Sequence, residues 1–535
     1  MVELTPMKPK PIMTDNYDFE RMIDEGYTYV DKTDILESLI VEKNGSQFFF
    51  ARPRRFGKSL MINTLKRIFQ GRKDLFKGTA IGRSKTYDWK KYPVIHLDLS
   101  RVVASTPEML QKRLNEVMRS MAGEIRAPFD RTATPGSNFE TMIRSLAAKQ
   151  KTDKRVVVLI DEYDAPVNGF IEDPEKLAAF RDEMHQFFLT LKANVEKIRF
   201  LMATGVTRFT KISLFSCLNN PTDLTMDART ARLCGYTPDE IERYFHAHIQ
   251  AFADAKGLAY DAMFAKLLDW YDSYRFSPES PVKVCNPVSL GKALTTQVIM
   301  NYWETTGLAS SAVKRIRESR EIISDWNDVE VTRLSLDTSD VADIPLPTLL
   351  FQTGYLTIKD RFDDVSLSLR VPNKEVLDSV NEGAMSDWLK PDDVQFTIAS
   401  AKRTRRTMLA DGSISDFSAA LMACYSRIPH EWVCRNEAEA KRFFQLYCYF
   451  VGARIKGEHE VSTGRPDALL ELPNGVCILE FKYARTSADA MRQIRSKKYA
   501  DAYRGDPRPV WLVGCNYNPE KRGLDKPLVR RAVFR

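Results

Sequence analysis

The sequence predicts an α/β fold, with a parallel sheet in the N-terminal part of the chain and a smaller α/β unit at its C-terminal end. Unbroken apolar segments separated by amphipathic ones indicate a parallel sheet with helices on both faces. Near the C-terminus, the patterns follow in the order α-β-β-β-α-β. The 535 residues are 44% hydrophobic and 28% charged, which is the composition of an ordinary globular protein.

Four apolar segments before about residue 215 are predicted to be strands of the parallel sheet. They are QFFFA (47–51), YPVIHLDLS (92–100), RVVVLIDE (155–162) and IRFLMATG (198–205). From about 226 to 330 the pattern is mostly helical, and Thr237, Pro238 and Glu240 have the types expected at a helix N-terminus. Residues 340–400 are expected to mix short strands with loops.

The C-terminal segment is predicted to begin with one long helix and to continue with three strands, a second helix and a last strand. The expected ranges are 417–452, then 454–462, 467–472 and 476–482, then 487–503 and 509–515. These pattern changes divide the chain into a domain over 1–225, a helical lid and mixed region over 226–415, and a compact domain over 416–535.

Composition also excludes several classes of protein. The longest apolar runs, such as VVVLI at 156–160, are far shorter than the roughly 18 residues that a membrane-spanning helix needs. The N-terminal segment has no apolar core of a secretory signal. Eight widely spaced cysteines without a CxxC motif indicate buried thiols rather than a disulfide or zinc framework. We therefore expect a cytoplasmic protein with no membrane partner.

Positive charge is concentrated at the C-terminal end. Residues 471–535 contain 14 Lys and Arg against 7 Asp and Glu, so +7 of the total charge of +8 lies there. A basic module on a nearly neutral body is expected of a protein that binds phosphate backbones. A solvated basic surface without a partner is the alternative that charge alone leaves open.

A candidate phosphate-binding loop follows the first predicted strand. Gly57, Lys58 and Ser59 stand between that strand and an amphipathic helix, where N–H groups hold phosphate, the lysine reaches the outer phosphates and the serine hydroxyl binds Mg²⁺. The first consensus glycine is replaced by Arg52, and a chance GKS tripeptide is the alternative. The candidate nucleotide-binding residues are Arg52, Pro53, Arg54, Arg55, Phe56, Gly57, Lys58, Ser59 and Leu60.

Two carboxylates end the strand at 155–162. In P-loop ATPases, a carboxylate at the position of Asp161 orients Mg²⁺, and one at the position of Glu162 acts as general base on the attacking water. The strand at 92–100, between the loop and these carboxylates, fits the additional-strand class. Arg208 is a candidate γ-phosphate sensor or a loop residue in a surface ion pair. ATP binding is expected, while hydrolysis and tight retention of ATP both stay open.

A second constellation lies in GRPDALLELPNGVCILEFK (464–482). Asp467 begins one strand, and Glu480 and Lys482 point to one face of the next. A turn at Pro473-Asn474-Gly475 would bring the carboxylates together, where they would bind Mg²⁺ while Lys482 stabilises charge on a scissile phosphate. This pattern indicates phosphodiester hydrolysis, and an exposed hairpin with a cross-strand ion pair is the alternative.

Further residues are candidates for the same site. Gln493 on the following helix could touch it, and Glu437 and Glu458 compete for the role of an additional metal ligand. The triplet at 391–393, PDD, resembles the motif in letters only, because it lies in a segment expected to be loop-like with no ExK strand after it.

The chain resembles two families. YVDKT, RPRRFGKS, VVVLIDEYD and TGVTRF resemble the AAA-ATPase-like P-loop family over about 10–230, and that family carries the RPRRFGKS form of the loop. NEAEAKRFF, GRPDALLEL, ILEFK and QIRSKKYADAY look like a PD-(D/E)xK nuclease-like module over about 436–515. The resemblance implies a P-loop NTPase sheet with a helical lid, and active-site roles for Asp467, Glu480 and Lys482.

The leading hypothesis is a nucleotide-binding ATPase domain coupled to a Mg²⁺-dependent phosphodiesterase that acts on nucleic acid, with DNA favoured over RNA. A homo-oligomer is a further expectation, because P-loop ATPases often complete their sites in trans. One alternative is an ATP-gated switch or scaffold whose nuclease-like fold binds without cutting. Another is that Arg52, Arg54 and Arg55 bind nucleic-acid phosphates and no nucleotide.

Overall fold

The computed structural model describes residues 9–15, 17–41, 46–170, 173–208, 221–303, 328–336, 344–386, 389–411, 414–429, 434–455 and 466–534. The chain divides into two compact units, Met1–Ser379 and Val380–Arg535. The predicted limit between the mixed region and the C-terminal domain, at residue 415, lies inside the second unit. The division of the chain into three parts therefore remains a prediction.

A five-stranded parallel sheet forms the centre of the first unit. Its strands are β1 (Gln47–Ala51), β2 (Val94–Asp98), β3 (Val156–Asp161), β4 (Ile198–Gly205) and β5 (Thr222–Asp223). Their spatial order is β2-β3-β4-β1-β5, and every pairing is parallel. The four predicted strands are confirmed. In the sheet, β4 lies between β1 and β3, whereas β2 lies at the edge beside β3. Because the strands are parallel, the C-terminal ends of β1, β4 and β3 lie along the same edge of the sheet.

Helices cover this sheet and continue through the rest of the unit, and the last of them extends past its limit at Ser379. They are α1 (Phe19–Asp24), α2 (Thr33–Val41), α3 (Lys58–Phe69), α4 (Ala80–Arg83), α5 (Pro107–Ile125), α6 (Pro135–Ala148), α7 (Ala165–Asn168), α8 (Pro174–Ala193), α9 (Pro238–Lys256), α10 (Tyr260–Tyr271), α11 (Pro287–Thr296), α12 (Arg333–Leu336), α13 (Leu346–Thr353) and α14 (Lys374–Met385). Short 3₁₀ turns lie at Lys73–Phe76, Val195–Lys197 and Ala228–Thr230. A small antiparallel sheet, ordered β6-β8-β7, contains β6 (Val329–Thr332), β7 (Thr357–Arg361) and β8 (Ser366–Arg370).

The start of α9 shows how local sequence sets a helix end. The Thr237 hydroxyl accepts a hydrogen bond from the backbone N–H of Glu240, and the Glu240 carboxylate accepts one from the N–H of Thr237. Pro238 occupies the first turn, where its missing N–H costs nothing. The predicted N-terminus is confirmed, and α9, α10 and α11 share one apolar core.

The second unit is a mixed sheet between helices. It contains α15 (Pro391–Asp411), α16 (Ser415–Tyr425), α17 (Glu437–Val451), β9 (Arg454–Ile455), β10 (Ala468–Leu472), β11 (Gly475–Tyr483), α18 (Ser487–Ser496), a 3₁₀ turn (Tyr499–Tyr503), β12 (Val510–Asn518), β13 (Gly523–Leu524) and β14 (Leu528–Arg531). β10 and β11 are antiparallel, and β11 and β12 are parallel. Side chains of α15, α16 and α17 pack on one face of the sheet, and those of α18 pack on the other.

Three details of the C-terminal prediction are wrong. The expected helix over 417–452 is two helices, α16 and α17, because Pro429 lies between them and cannot continue a helix. The PDD triplet begins α15 rather than a loop, which leaves it unrelated to the carboxylate site. The sheet also continues beyond the predicted last strand into β13 and β14.

In the described ranges, none of the helices combines the length and the apolar character that crossing a membrane requires. The seven cysteines within those ranges are buried thiols, as their spacing predicts.

We expect Gly205→Ala to destabilise the N-terminal unit by roughly 1–3 kcal/mol, since the added methyl group would overpack the site. Its Cβ would lie 2.3 Å from Cε1 of Tyr163 and 2.9 Å from Oδ1 of Asp164. Gly123→Ala, in α5, is the matched control, because no atom lies within 4 Å of its Cβ and alanine favours helices. Equal thermal unfolding midpoints for the two variants would contradict this close packing.

Candidate functional site

The phosphate loop runs from the end of β1 to the start of α3. Gly57 is the N-cap of α3 and has a φ of 96°, and Arg55 has a φ of 70°. The N–H groups in the first turn of any helix lack intrahelical acceptors and form an anion site. Ser59 lies in that turn and is half-buried. The local backbone is therefore that of a phosphate-binding loop.

Lys58 is buried beneath this loop. Its Nζ donates hydrogen bonds to the carbonyl oxygens of Arg52 at 2.9 Å and Pro53 at 3.1 Å. Burial lowers the pKa of Lys58, and the nearby carboxylates of Glu162 and Asp161 oppose that shift. A bound phosphate would have to compete with the two carbonyl oxygens for the ammonium.

Arg52 does not face the loop interior. Its guanidinium is fully buried, lies over the rings of Phe50 and Phe276, and donates to the carbonyl oxygens of Ala51 at 2.9 Å and Thr230 at 3.2 Å. Burial lowers its pKa to about 10. A phosphate contact by this side chain, expected from the sequence, is therefore not what the structure shows. Arg52 holds the loop to the core.

The other residues of the loop divide between buried and half-buried positions. Phe56 is buried edge-to-face against Tyr274, with ring centroids 4.8 Å apart. Arg54 is half-buried near Glu162, where burial raises the pKa of the carboxyl and the charge of Arg54 opposes that rise. The Arg55 guanidinium donates to the carbonyl oxygen of Tyr302. Since Arg52 is in the core, the three arginines do not form one phosphate-binding surface.

The carboxylates at the end of β3 are positioned by β4. Oδ1 of Asp161 accepts a hydrogen bond of 2.6 Å from the hydroxyl of Thr204. Glu162 is half-buried with a φ of 50°, in the left-handed region. Burial raises the pKa of Glu162, whereas the Lys58 ammonium lowers it. Asp161, Glu162 and Lys58 thus lie close enough to influence one another's charge.

Asp164 is a residue that the sequence argument missed. Its Oδ2 accepts hydrogen bonds from the N–H of Val206 at 3.0 Å, and from the N–H and hydroxyl of Thr207 at 2.8 and 2.6 Å. The hydroxyl of Tyr163 donates to the carbonyl oxygen of Thr207 at 2.9 Å. The second Asp of VVVLIDEYD therefore fixes the segment that follows β4, and only its place in that motif pointed to it.

Arg208 is buried rather than exposed. Its guanidinium forms an ion pair with Asp223 on β5, and its backbone N–H donates to Oε1 of Gln352 at 3.0 Å. Of the two sequence interpretations, the structure shows an ion pair, although it is a buried pair and not a surface one. A sensor role for Arg208 would require this pair to open.

A cavity adjoins the phosphate loop. Its volume is about 60 Å³, and it is bordered by Gly57 and Leu60 of the loop and helix. Tyr17, Tyr29 and Lys32 line its other walls. The walls combine apolar and aromatic groups with polar ones, and the volume is below that of a typical small-molecule site.

The second constellation assembles as the sequence predicts. β10 and β11 pair with Ala468 opposite Leu479, so Asp467 lies beside the end of β11. Oδ2 of Asp467 accepts a hydrogen bond of 2.9 Å from the N–H of Phe481. Nζ of Lys482 lies 3.1 Å from Oε1 of Glu480. Both carboxylates are buried, which excludes the exposed-hairpin alternative.

Glu480 and Asp467 also bind residues from two helices. Nε2 of Gln493, on α18, donates to Oε1 of Glu480 at 2.5 Å, as anticipated. The ammonium of Lys441, on α17, pairs with Oδ1 of Asp467 and was not anticipated. Burial, followed by the charge of Asp467, raises the pKa of Glu480 to about 7. The site therefore holds two adjacent buried carboxylates, each paired with a lysine.

The donor set fits Mg²⁺ better than a transition metal. Oε2 of Glu480 is buried without a hydrogen-bond partner, next to the Asp467 carboxylate. Across the described part of the chain, no group of three or more His, Cys, Asp and Glu side chains could hold a metal ion. Mg²⁺ is commonly bound by one or two carboxylates plus water. Glu437 is exposed at the start of α17, and Glu458 lies outside the described residues.

We expect Glu480→Gln to stabilise the metal-free protein by roughly 1–3 kcal/mol at about pH 8. Because the pKa of Glu480 is raised from 4.5 to about 7, the folded state binds more protons than the unfolded state between these values. The stabilisation that comes from protonated Glu480 is therefore fully present below the unfolded pKa of 4.5, and it is lost as the pH rises through the folded pKa of about 7. Urea unfolding in EDTA at about pH 5 and pH 8 measures this difference.

The exposed Glu520→Gln variant is the control for that measurement. If Glu480→Gln and wild type lost stability equally between the two pH values, the raised pKa would be refuted.

Family models match the two segments that contain these sites. A family model described as "Predicted AAA-ATPase" matches residues 13–215, and a model of the PD-(D/E)XK nuclease superfamily matches residues 435–526. A protein of Azotobacter chroococcum mcd 1, described as an uncharacterized protein in the vnfD 5′ region, is 29% identical over 512 residues, covering 94% of this chain and 95% of that protein. The chain therefore carries an AAA-ATPase-like domain at residues 13–215 and a PD-(D/E)XK nuclease superfamily domain at residues 435–526.

Proposed function

We propose that the protein is an ATP-binding P-loop protein coupled to a Mg²⁺-dependent phosphodiesterase that acts on nucleic acid. The observation that carries this proposal is the buried pair of Asp467 and Glu480, with Lys482 3.1 Å from Glu480. Lys441 and Lys482 pair with these carboxylates, but Oε2 of Glu480 is buried without a hydrogen-bond partner. A divalent cation bound between the two carboxylates would satisfy this oxygen.

Each residue of the nuclease site has a distinct task in this proposal. Asp467 and Glu480 would hold Mg²⁺, which when bound activates water and neutralises charge on a phosphodiester. Lys482 would stabilise negative charge on the scissile phosphate. Gln493 holds Oε1 of Glu480 and so fixes the orientation of the carboxylate. The hydrogen bond from the N–H of Phe481 does the same for Asp467.

Basic side chains around this site support nucleic acid as the partner. Arg495, Lys497 and Lys498 are exposed at the end of α18, directly after Gln493 in sequence, and Arg485 is exposed between β11 and α18. Such a cluster beside a phosphodiesterase site attracts phosphate backbones and makes binding dependent on salt. DNA is preferred over RNA in this proposal, and an assay on both substrates distinguishes them.

ATP is proposed to bind at the phosphate loop of the first unit. The first turn of α3 would hold the phosphates with Lys58, and Ser59 and Asp161 would hold the accompanying Mg²⁺. The small cavity next to Gly57 and Leu60 would have to widen to admit the base and ribose. Glu162, with its raised pKa, is placed to accept a proton from water in hydrolysis.

A switch that binds nucleic acid without cutting is the second candidate. It is favoured because a lysine at each site already has a partner within the protein. Lys58 donates hydrogen bonds to carbonyl oxygens of its own loop, and Lys441 forms an ion pair with Asp467. In this form, ATP occupancy would control binding rather than cleavage.

We expect Asp467→Asn and Lys482→Ala each to lower Mg²⁺-dependent cleavage of DNA by at least about a hundredfold, because each removes a charge used at the reacting phosphate. Cleavage of single- and double-stranded DNA and RNA would be followed on gels, with and without ATP. The exposed Lys402→Ala variant, on α15, is the matched control. Cleavage at the wild-type rate by either active-site variant would refute the assignment, and no cleavage by any protein would favour the switch.

Lys58→Ala is expected to abolish ATP binding, whereas Glu162→Gln should bind ATP and hydrolyse it at least about a hundredfold more slowly. The difference arises because Lys58 contacts phosphate and Glu162 acts on water. Equilibrium binding of a fluorescent ATP analogue and phosphate release measure the two steps, with the exposed Lys112→Ala variant of α5 as control. Wild-type affinity in Lys58→Ala would contradict the nucleotide site.

A further inference from the structure

Lys441 has an unusual place for a lysine. It lies one turn into α17, a helix whose other face packs into the apolar core of the second unit. Its ammonium is paired with Oδ1 of Asp467, and the two side chains are only 21% and 6% exposed. A half-buried lysine that contacts a proposed metal ligand calls for a physical explanation.

The pairing at this site is one ammonium for each carboxylate. Lys441 pairs with Asp467, and Lys482 pairs with Glu480. Oδ2 of Asp467 is already bonded to the N–H of Phe481, so Oδ1 is the oxygen that a metal ion would use. Lys441 and a divalent cation would therefore compete for the same oxygen atom.

We propose that Lys441 is an electrostatic placeholder, which occupies the metal-binding oxygen of Asp467 in the empty site and moves to a phosphate of the bound substrate when a divalent cation enters. This inference rests on the proposed function of the site, and it adds a residue that the Asp467, Glu480 and Lys482 set does not include.

The surroundings of Lys441 permit such a movement. Its side chain is long, and its outer end is partly exposed. The exposed basic side chains that follow Gln493, which is bonded to Glu480 of the same site, would draw the substrate phosphates toward that site. Lys441 is thus a positioning residue with two alternative partners.

The test is a titration of the full-length protein with Mn²⁺, followed by the electron paramagnetic resonance signal of the unbound ion. We expect Lys441→Ala to bind Mn²⁺ about tenfold more tightly than wild type, because the ion no longer displaces an ammonium. Lys441→Gln keeps a hydrogen-bond donor without the charge and should show the same direction. Lys402→Ala is the control and should bind as wild type does.

The same variants should bind a DNA duplex several-fold more weakly in saturating Mn²⁺, since one phosphate contact is lost. Tighter metal binding combined with weaker DNA binding is a signature that simple misfolding does not produce. Thermal unfolding in EDTA shows whether Lys441→Ala folds, and Lys441→Gln replaces it if it does not.

Unchanged or weaker Mn²⁺ binding by a folded Lys441 variant would overturn the placeholder role and leave the proposed nuclease site intact. Failure of wild type and all variants to bind Mn²⁺ would instead refute the metal-dependent function itself. The two failures are therefore distinguishable, and neither depends on observing cleavage.

Discussion

Charged side chains buried at the ends of strands are the constraint on which both candidate sites depend. An uncompensated charge inside a protein costs several kcal/mol, so each one must be paired or hydrogen-bonded in a fixed position. Arg52 is held by main-chain carbonyl oxygens, Lys58 by the loop that it supports, and Asp467 by a backbone N–H and Lys441. The partners of these buried charges come from several elements at once.

The order of the strands makes the first site possible. With β4 between β1 and β3, the Thr204 hydroxyl reaches Asp161 from one side and the segment after β4 is held by Asp164 from the other. Gly205 has no side chain, and the close approach of Tyr163 requires this. The phosphate loop, the two carboxylates and the segment after β4 thus form a single hydrogen-bonded edge.

Replacing the first loop glycine by arginine changes the architecture without removing the site. The Arg52 side chain points away from the loop, lies against two aromatic rings and donates a hydrogen bond to the backbone of the core. Its charge therefore stabilises the fold and does not face a ligand. The carboxylate site of the second unit differs, since Oε2 of Glu480 is left without a hydrogen-bond partner. One arrangement anchors the fold, and the other is open to a ligand.

The sequence alone was sufficient for the strands, the phosphate loop and the meeting of Asp467, Glu480 and Lys482, because each depends on alternation, a two-residue turn or residues adjacent in the chain. It could not place Lys441, Arg52 or Arg208, because the partners of these side chains are on elements distant in sequence. Apolar periodicity shows which face of a helix is buried. The partner of each buried charged side chain is decided only when the helices and strands pack against one another in the tertiary structure.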